Sequence, residues 1–210
     1  MRVVRQHAPG GPQQLALEET DRPRPGLGEA LVRVHAAGIT RDGVAADYAA
    51  VAAELLVLIH GAAGGVGGFA VQLARTAGAR VIGTASAAHM GSVLERGAHE
   101  VINAATGFGD AMEPVDGVFD TVGGGRLRRS LGVLRAGGRL VSVAEEPPDG
   151  GVFFSVAPNR DQLMSISRLA DSGDLRPGAV EVYPLTSARE AFARSLERDR
   201  LGKVVLAVAG

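Results

Sequence analysis

Leu55-Leu56-Val57-Leu58-Ile59-His60-Gly61-Ala62-Ala63-Gly64-Gly65-Val66-Gly67-Gly68, followed by FAVQLARTAG over Phe69–Gly78, is the stretch that decides the fold. Leu55–Ile59 reads as a buried strand, the glycine-dense run as a tight turn, and the segment after it as a helix. A second apolar run, Arg80–Thr84, follows at the spacing of a βαβ unit. Glycines let such a turn bend sharply and let its backbone approach a diphosphate. The helix start then offers free N–H groups and the positive end of its dipole to the anion. A glycine triplet alone is weak evidence; strand, turn, helix and second strand in order predict a dinucleotide site. The structural alternative is that the glycines serve only close helix–strand packing. No Lys-Ser or Lys-Thr follows Gly67, so a P-loop is excluded.

Working outward, the pattern alternates regularly. Strands are expected at 55–60, 80–84, 99–102, 116–121, 138–144 and 151–155, and helices at 65–77, 87–97, 124–134 and 159–172. Short apolar strands interleaved with helices predict an α/β fold, a doubly wound parallel sheet covered on both faces. Right-handed crossovers give the strand order 3-2-1-4-5-6, with the ligand crevice where that order reverses. Before this region, 2–6, 15–20 and 30–37 are β-prone and 40–54 reads as a helix; after it come 180–183, a helix over 187–198 and a strand over 204–208. The expected domains are therefore a β segment over 1–54, joined by 178–210, and a dinucleotide-binding domain over 55–177.

The chain has 210 residues, 46% of them hydrophobic, with a formal net charge of −1, which suits a globular protein with a real core. A near-neutral chain without basic, aromatic-laced stretches predicts no nucleic-acid partner. No run approaches the length of a membrane span, and the start of the chain has no apolar signal region, so a cytoplasmic location is expected. With no cysteine, disulfides and thiolate metal sites are excluded. His7, His35, His60, His89 and His99 lack metal-ligand spacing, so no metal is expected.

Several residues sit where chemistry would be done. His60, at the end of the first strand of the βαβ unit, is a polar group beside the crevice, with a satisfied core histidine as the bland reading. Asp42 and Tyr48 lie just before that unit; Tyr48 suits proton donation to an enolate oxygen, against simple packing or capping. Asp120-Thr121-Val122-Gly123 ends a strand at the switch point and serves either cofactor contact or a plain turn. Arg126, Arg128, Arg129, Arg135 and Arg139 have the spacing of a solvated helix face. No G-x-S-x-G elbow is present, which argues against a serine hydrolase.

Four further segments follow the glycine turn in order: GTAS at Gly83–Ser86, DTVGG at Asp120–Gly124, AGGRLVSV at Ala136–Val143 and GKVVLAV at Gly202–Val208. With Pro23–Val34 and the HAAGI run at His35–Ile39, they resemble the zinc-independent quinone oxidoreductase and enoyl reductase branch of the medium-chain dehydrogenase/reductase superfamily. The resemblance implies a Rossmann domain, a GroES-like substrate domain, NADPH and hydride transfer to a small molecule. It places Gly64, Gly65, Val66, Gly67, Thr84, Ser86, Val122, Gly123, Phe153 and Phe154 at the cofactor. Phe153-Phe154 also suits an edge strand that pairs with its copy in a homodimer.

Three departures accompany the match. Between HAAG and the glycine turn the family carries a stretch of order 100 residues, about one small domain; here only Ile39–Glu54 lies between, so the GroES-like part is a small truncated remnant. Thr40 stands where the family has asparagine, and Ala87-Ala88-His89-Met90 and Ala104 stand where it places the Lys, Arg or Tyr that read a 2′-phosphate. Thr84-Ala85-Ser86 offers no acid for a ribose 2′-hydroxyl either. An NAD(P)H-dependent reductase of quinones or activated alkenes leads. A non-redox cyclase or isomerase on the same scaffold and a non-catalytic binding protein are the alternatives.

Overall fold

The computed structural model describes residues 1–26, 31, 34, 36–39, 54–108, 112–153, 160–197 and 201–208. The chain forms two units, Met1–Asp42 with Ala179–Gly210, and Gly43–Gly178. In the first, β1 (Arg2–Gln6) and β2 (Leu15–Glu19) form an antiparallel hairpin across the Pro9–Pro12 turn. β3 covers Ala36–Ile39, against the expected 30–37. The helix expected over 40–54 lies outside the described residues apart from Glu54.

The second unit opens with β4 (Leu56–His60), buried at every position, then α1 (Gly65–Thr76) and β5 (Arg80–Ala85). A 3-10 turn at Ala87–His89 leads into α2 (Met90–Glu95), so the helix expected over 87–97 is split. The Ser86 hydroxyl meets His89 Nδ1 at 3.1 Å across that turn and holds it tighter than an α-helix. β6 (Glu100–Asn103) and β7 (Val115–Asp120) precede α3 (Gly124–Arg129). The helix expected to reach 134 stops at Arg129 and tightens into a 3-10 turn at Ser130–Val133, where the buried Ser130 hydroxyl bonds back to the Arg126 carbonyl at 2.9 Å. β8 runs Leu134–Ser142, β9 is Val152–Phe153, and α4 is Arg160–Ser172.

The sheet order is β6-β5-β4-β7-β8-β9, all parallel, the order that right-handed crossovers dictate. Alternation along β4 divides the core. Val57 and Ile59 pack with Ala70, Val71 and Ala74 of α1, while Leu56 and Leu58 pack with Leu127, Val133 and Leu140 on the other face. Burying a side chain such as Leu58 or Ile59 contributes about 1.5–3 kcal/mol. β7 and β8 shift register between Val115 and Gly117, where the Asp116 carboxylate accepts the Leu56 N–H at 2.7 Å and pairs with Arg135 at 2.6 Å. The start of β4 is thereby tied to β7.

The chain then rejoins the first unit with β10 (Val180–Pro184), α5 (Ala188–Leu196) and β11 (Lys203–Ala207). β10 and β11 run parallel, and β11 pairs antiparallel with β3. Ala188 and Ala191 of α5 pack on Val204 and Leu206, and Val4 joins that cluster. Among the described residues no helix is long and apolar enough to cross a membrane.

Candidate functional site

The glycine turn leaves β4 at its carboxyl end with a reversal at Gly61, whose φ of +69° favours glycine. Space there is closed as well: a Cβ would overlap Thr121 Oγ1 and come within 2.9 Å of Val122 Cγ2. The Gly64 N–H donates to the Gly61 carbonyl at 2.9 Å, and the Gly68 N–H donates to Gly64 at 2.9 Å as the first helical bond. A Cβ on Gly67 would lie 2.7 Å from the Gly61 carbonyl carbon and 2.9 Å from Ala62 Cα, so this close passage needs glycine. Helix α1 begins without a side-chain cap and without an acid in its first turn. The N–H groups of Gly65, Val66 and Gly67 precede the first helical bond and are left for an outside acceptor. Open space surrounds Gly65 where a Cβ would stand. Main-chain donors, a bare helix start and room beside them fit a diphosphate.

Thr84 on β5 braces the turn from below. Its carbonyl accepts the Ala62 N–H at 3.0 Å and its Oγ1 accepts the Gly61 N–H at 3.3 Å. Thr84 is buried, so its contribution runs through these bonds. The same hydroxyl meets Nδ1 of His60 at 3.2 Å, and Nε2 of His60 meets Ser130 Oγ at 2.9 Å. Because the Ser130 hydroxyl already donates to Arg126, it accepts from His60, which puts the imidazole proton on Nε2 and leaves Nδ1 to accept from Thr84. His60 is fully buried and lies 5.0 Å from the Phe108 ring, centroid to centroid. Burial, opposed by Asp120 and reinforced by Arg126 and Arg129, pushes its pKa down to about 4. It is a neutral imidazole at physiological pH, with both nitrogens engaged inside the protein.

At the end of β7 the buried Asp120 carboxylate collects donors. The Val122 N–H reaches it at 3.2 Å, the Gly123 N–H at 2.9 Å and the Ser142 hydroxyl at 2.8 Å. These bonds curl Thr121–Gly123 across the strand end and leave Val122 46% exposed at the mouth. The Thr121 hydroxyl donates to the His60 carbonyl at 2.8 Å, joining this curl to the glycine turn. Glu145 follows β8, accepts the Gly124 N–H at 2.8 Å and stands 3.7 Å from Arg128. No motif singled it out; its position just past an expected strand end was the available signal.

Residues 96–206, more than half of the chain, match the family model described as zinc-binding dehydrogenase. The chain belongs to the zinc-binding dehydrogenase family. It is thereby a member of the medium-chain dehydrogenase/reductase superfamily. Over 182 residues it is 34% identical to polyketide synthase GfsB of Streptomyces halstedii, covering 77% of this chain and 3% of that one. Over 184 residues it is 32% identical to the quinone oxidoreductase of Sus scrofa, covering 75% of this chain and 56% of that one. The chain thus spans about half of that oxidoreductase and a small fraction of the synthase. In fold it matches the quinone oxidoreductase of Coxiella burnetii, with a TM-score of 0.86 at 21% identity, over 100% of this chain and 99% of that one.

In this chain the expected site residues that the structure describes lie at separate places along the strand ends. Gly64, Gly65, Val66 and Gly67 form the turn and helix start; Val122 and Gly123 form the curl; Ser86 follows β5, beside His89. Phe153, 49% exposed, lies on β9, the last strand of the sheet among the described residues. Thr40, Asp42, Tyr48 and Phe154 lie outside the described residues. Among the described residues no group of three His, Cys, Asp or Glu side chains is placed to hold a metal ion.

Sequence reading missed Arg96. From the end of α2 it reaches under the glycine turn, and its Nη1 donates to the carbonyls of Ala63 at 3.1 Å and of Ala62 and Gly64 at 3.4 Å each. Nothing in the LERGAH stretch signals a partner more than 30 positions away.

Proposed function

We propose that this chain is an NAD(P)H-dependent, zinc-independent reductase of quinones or activated alkenes, working in the cytoplasm as a homodimer on a small-molecule substrate. The observation that carries the reading is the bare start of α1, where Gly65, Val66 and Gly67 present amides beside open space. The oxidoreductase name of the Sus scrofa relative supports the reaction class.

Bound NADPH would supply the hydride. The chain's own residues bind and orient. Gly64 to Gly67 hold the diphosphate, and Ser86 with His89 meets the ribose end of the adenosine as a polar pair carrying no carboxylate. Val122, Gly123, Phe153 and Phe154 flank the nicotinamide. Thr84 and His60 hold the turn from within. Tyr48, in the shortened segment, is the candidate proton donor to the product, and Asp42 in the same segment is a candidate substrate contact. Without a metal to polarise the substrate, catalysis rests on positioning in a dry pocket.

The test is a titration of the folded chain with NADPH and NADH, read by nicotinamide fluorescence and thermal shift. Ligand at roughly a hundredfold excess over Kd stabilises the fold by about 3 kcal/mol. Loss of nicotinamide absorbance with a quinone or an enone then reads turnover. Binding of NADPH with turnover of either acceptor is expected. A folded protein that binds neither cofactor overturns the reading.

A further inference from the structure

The place of Arg96 has a partner in the sequence. A Cβ on Gly68 would lie 2.8 Å from Arg96 Cζ and overlap the guanidinium, so the bare glycine in α1 makes room for the cation. Arg96 is half-buried, and its Nη1 has three carbonyls converging on it, those of Ala62, Ala63 and Gly64. In a planar trans peptide the N–H of each following residue points away from the carbonyl before it. Drawing these carbonyls toward Arg96 therefore turns the N–H groups of Ala63 and Gly65 to the opposite side, while that of Gly64 is taken by Gly61. A carbonyl that accepts from a cation also polarises its own peptide, which makes the N–H a stronger donor. The cation adds a positive charge under the turn that residues 61–68 themselves do not supply, since they contain no base.

We propose that Arg96, admitted by Gly68, is a positioning residue that aligns and charges the glycine turn for a diphosphate. The inference rests on the nucleotide reading above and goes beyond it by naming the charge that strengthens the anion site. It also gives the site affinity for the diphosphate itself, where the chain lacks a basic reader after Ser86.

The probes are ADP-ribose, which carries the diphosphate, and adenosine, which does not, both followed by calorimetry across a salt series. Arg96→Leu should raise the Kd of ADP-ribose about tenfold, leave adenosine unchanged, and flatten the salt dependence of ADP-ribose binding. Gly68→Ala should do the same, because its methyl displaces the guanidinium while the helix accepts alanine. Should Arg96→Leu fail to fold, Gly68→Ala carries the test with the same outcomes. Wild-type ADP-ribose affinity in the folded variant overturns the inference, as does an equal loss for adenosine, which marks a merely structural role. Wild-type protein that is folded yet binds no ADP-ribose overturns the nucleotide reading and this inference together. Normal wild-type binding with an unaffected variant overturns this one alone.

Discussion

The Ser142 hydroxyl donates to the buried Asp120 carboxylate at 2.8 Å, while its own oxygen accepts the N–H groups of Ala144 at 3.1 Å and Glu145 at 3.3 Å. Two adjacent strand ends are thereby joined by side chains where the main-chain ladder stops. Replacing Asp120 by Ala strands the Gly123 N–H and the Ser142 hydroxyl in the interior. Urea denaturation should show a loss of about 3 kcal/mol. Ser142→Ala removes that donor and the acceptor of the Ala144 and Glu145 N–H groups and should cost about 1–2 kcal/mol.

His60 makes stability depend on pH. Its folded pKa of about 4 lies below the unfolded value of about 6.5. The unfolded chain therefore binds the extra proton first, and stability falls as pH drops through 6.5 and stops falling near 4. Between pH 7 and pH 5 this one group should withdraw about 2 kcal/mol. Urea midpoints of wild type and His60→Gln across that range check it. The variant is less stable at pH 7 but lacks this part of the slope.

Gly65 and Gly67 stand two residues apart and should respond differently to the same methyl. At Gly65 a Cβ meets nothing within 4 Å, so Gly65→Ala should keep stability within about 0.5 kcal/mol. On the proposed reading it nevertheless intrudes where a diphosphate would sit, and the Kd of NADPH should rise about tenfold or more. At Gly67 the methyl presses on backbone, and Gly67→Ala should cost about 2 kcal/mol as well as binding. Thermal melts with and without NADPH separate the two.

Phe153 and Val152, 49% and 54% exposed on β9, are the proposed seam of the proposed homodimer. An apolar strand at a sheet edge invites pairing with its own copy. Phe153→Arg should convert the dimer to a monomer in sedimentation velocity while the far-ultraviolet circular dichroism stays unchanged. A wild-type monomer, or a variant that remains dimeric, removes β9 from the interface.

The sheet was readable because its signals are local. Leu55–Ile59 is too apolar for anything but a central strand, and the glycine turn and helix pattern after it follow directly in sequence. The end of α3 was not readable, since Arg129 to Leu134 keeps helical spacing and the bond of Ser130 to His60 is tertiary. The same limit governs the site. The glycine turn and the position of His60 at a strand end follow from adjacent residues. That Ser130, 70 positions on, completes the bonding of His60 follows from folding alone. Arg96 was invisible for a further reason: its three acceptors are main-chain carbonyls, which leave no trace in residue type.

An aspartate sits near each end of β7: Asp116 grips the start of β4 and Arg135, and Asp120 gathers Ser142 and the curl. A strand clamped at both tips does not fray. The amide protons of Gly117 to Phe119 should consequently exchange with solvent only through whole-sheet opening.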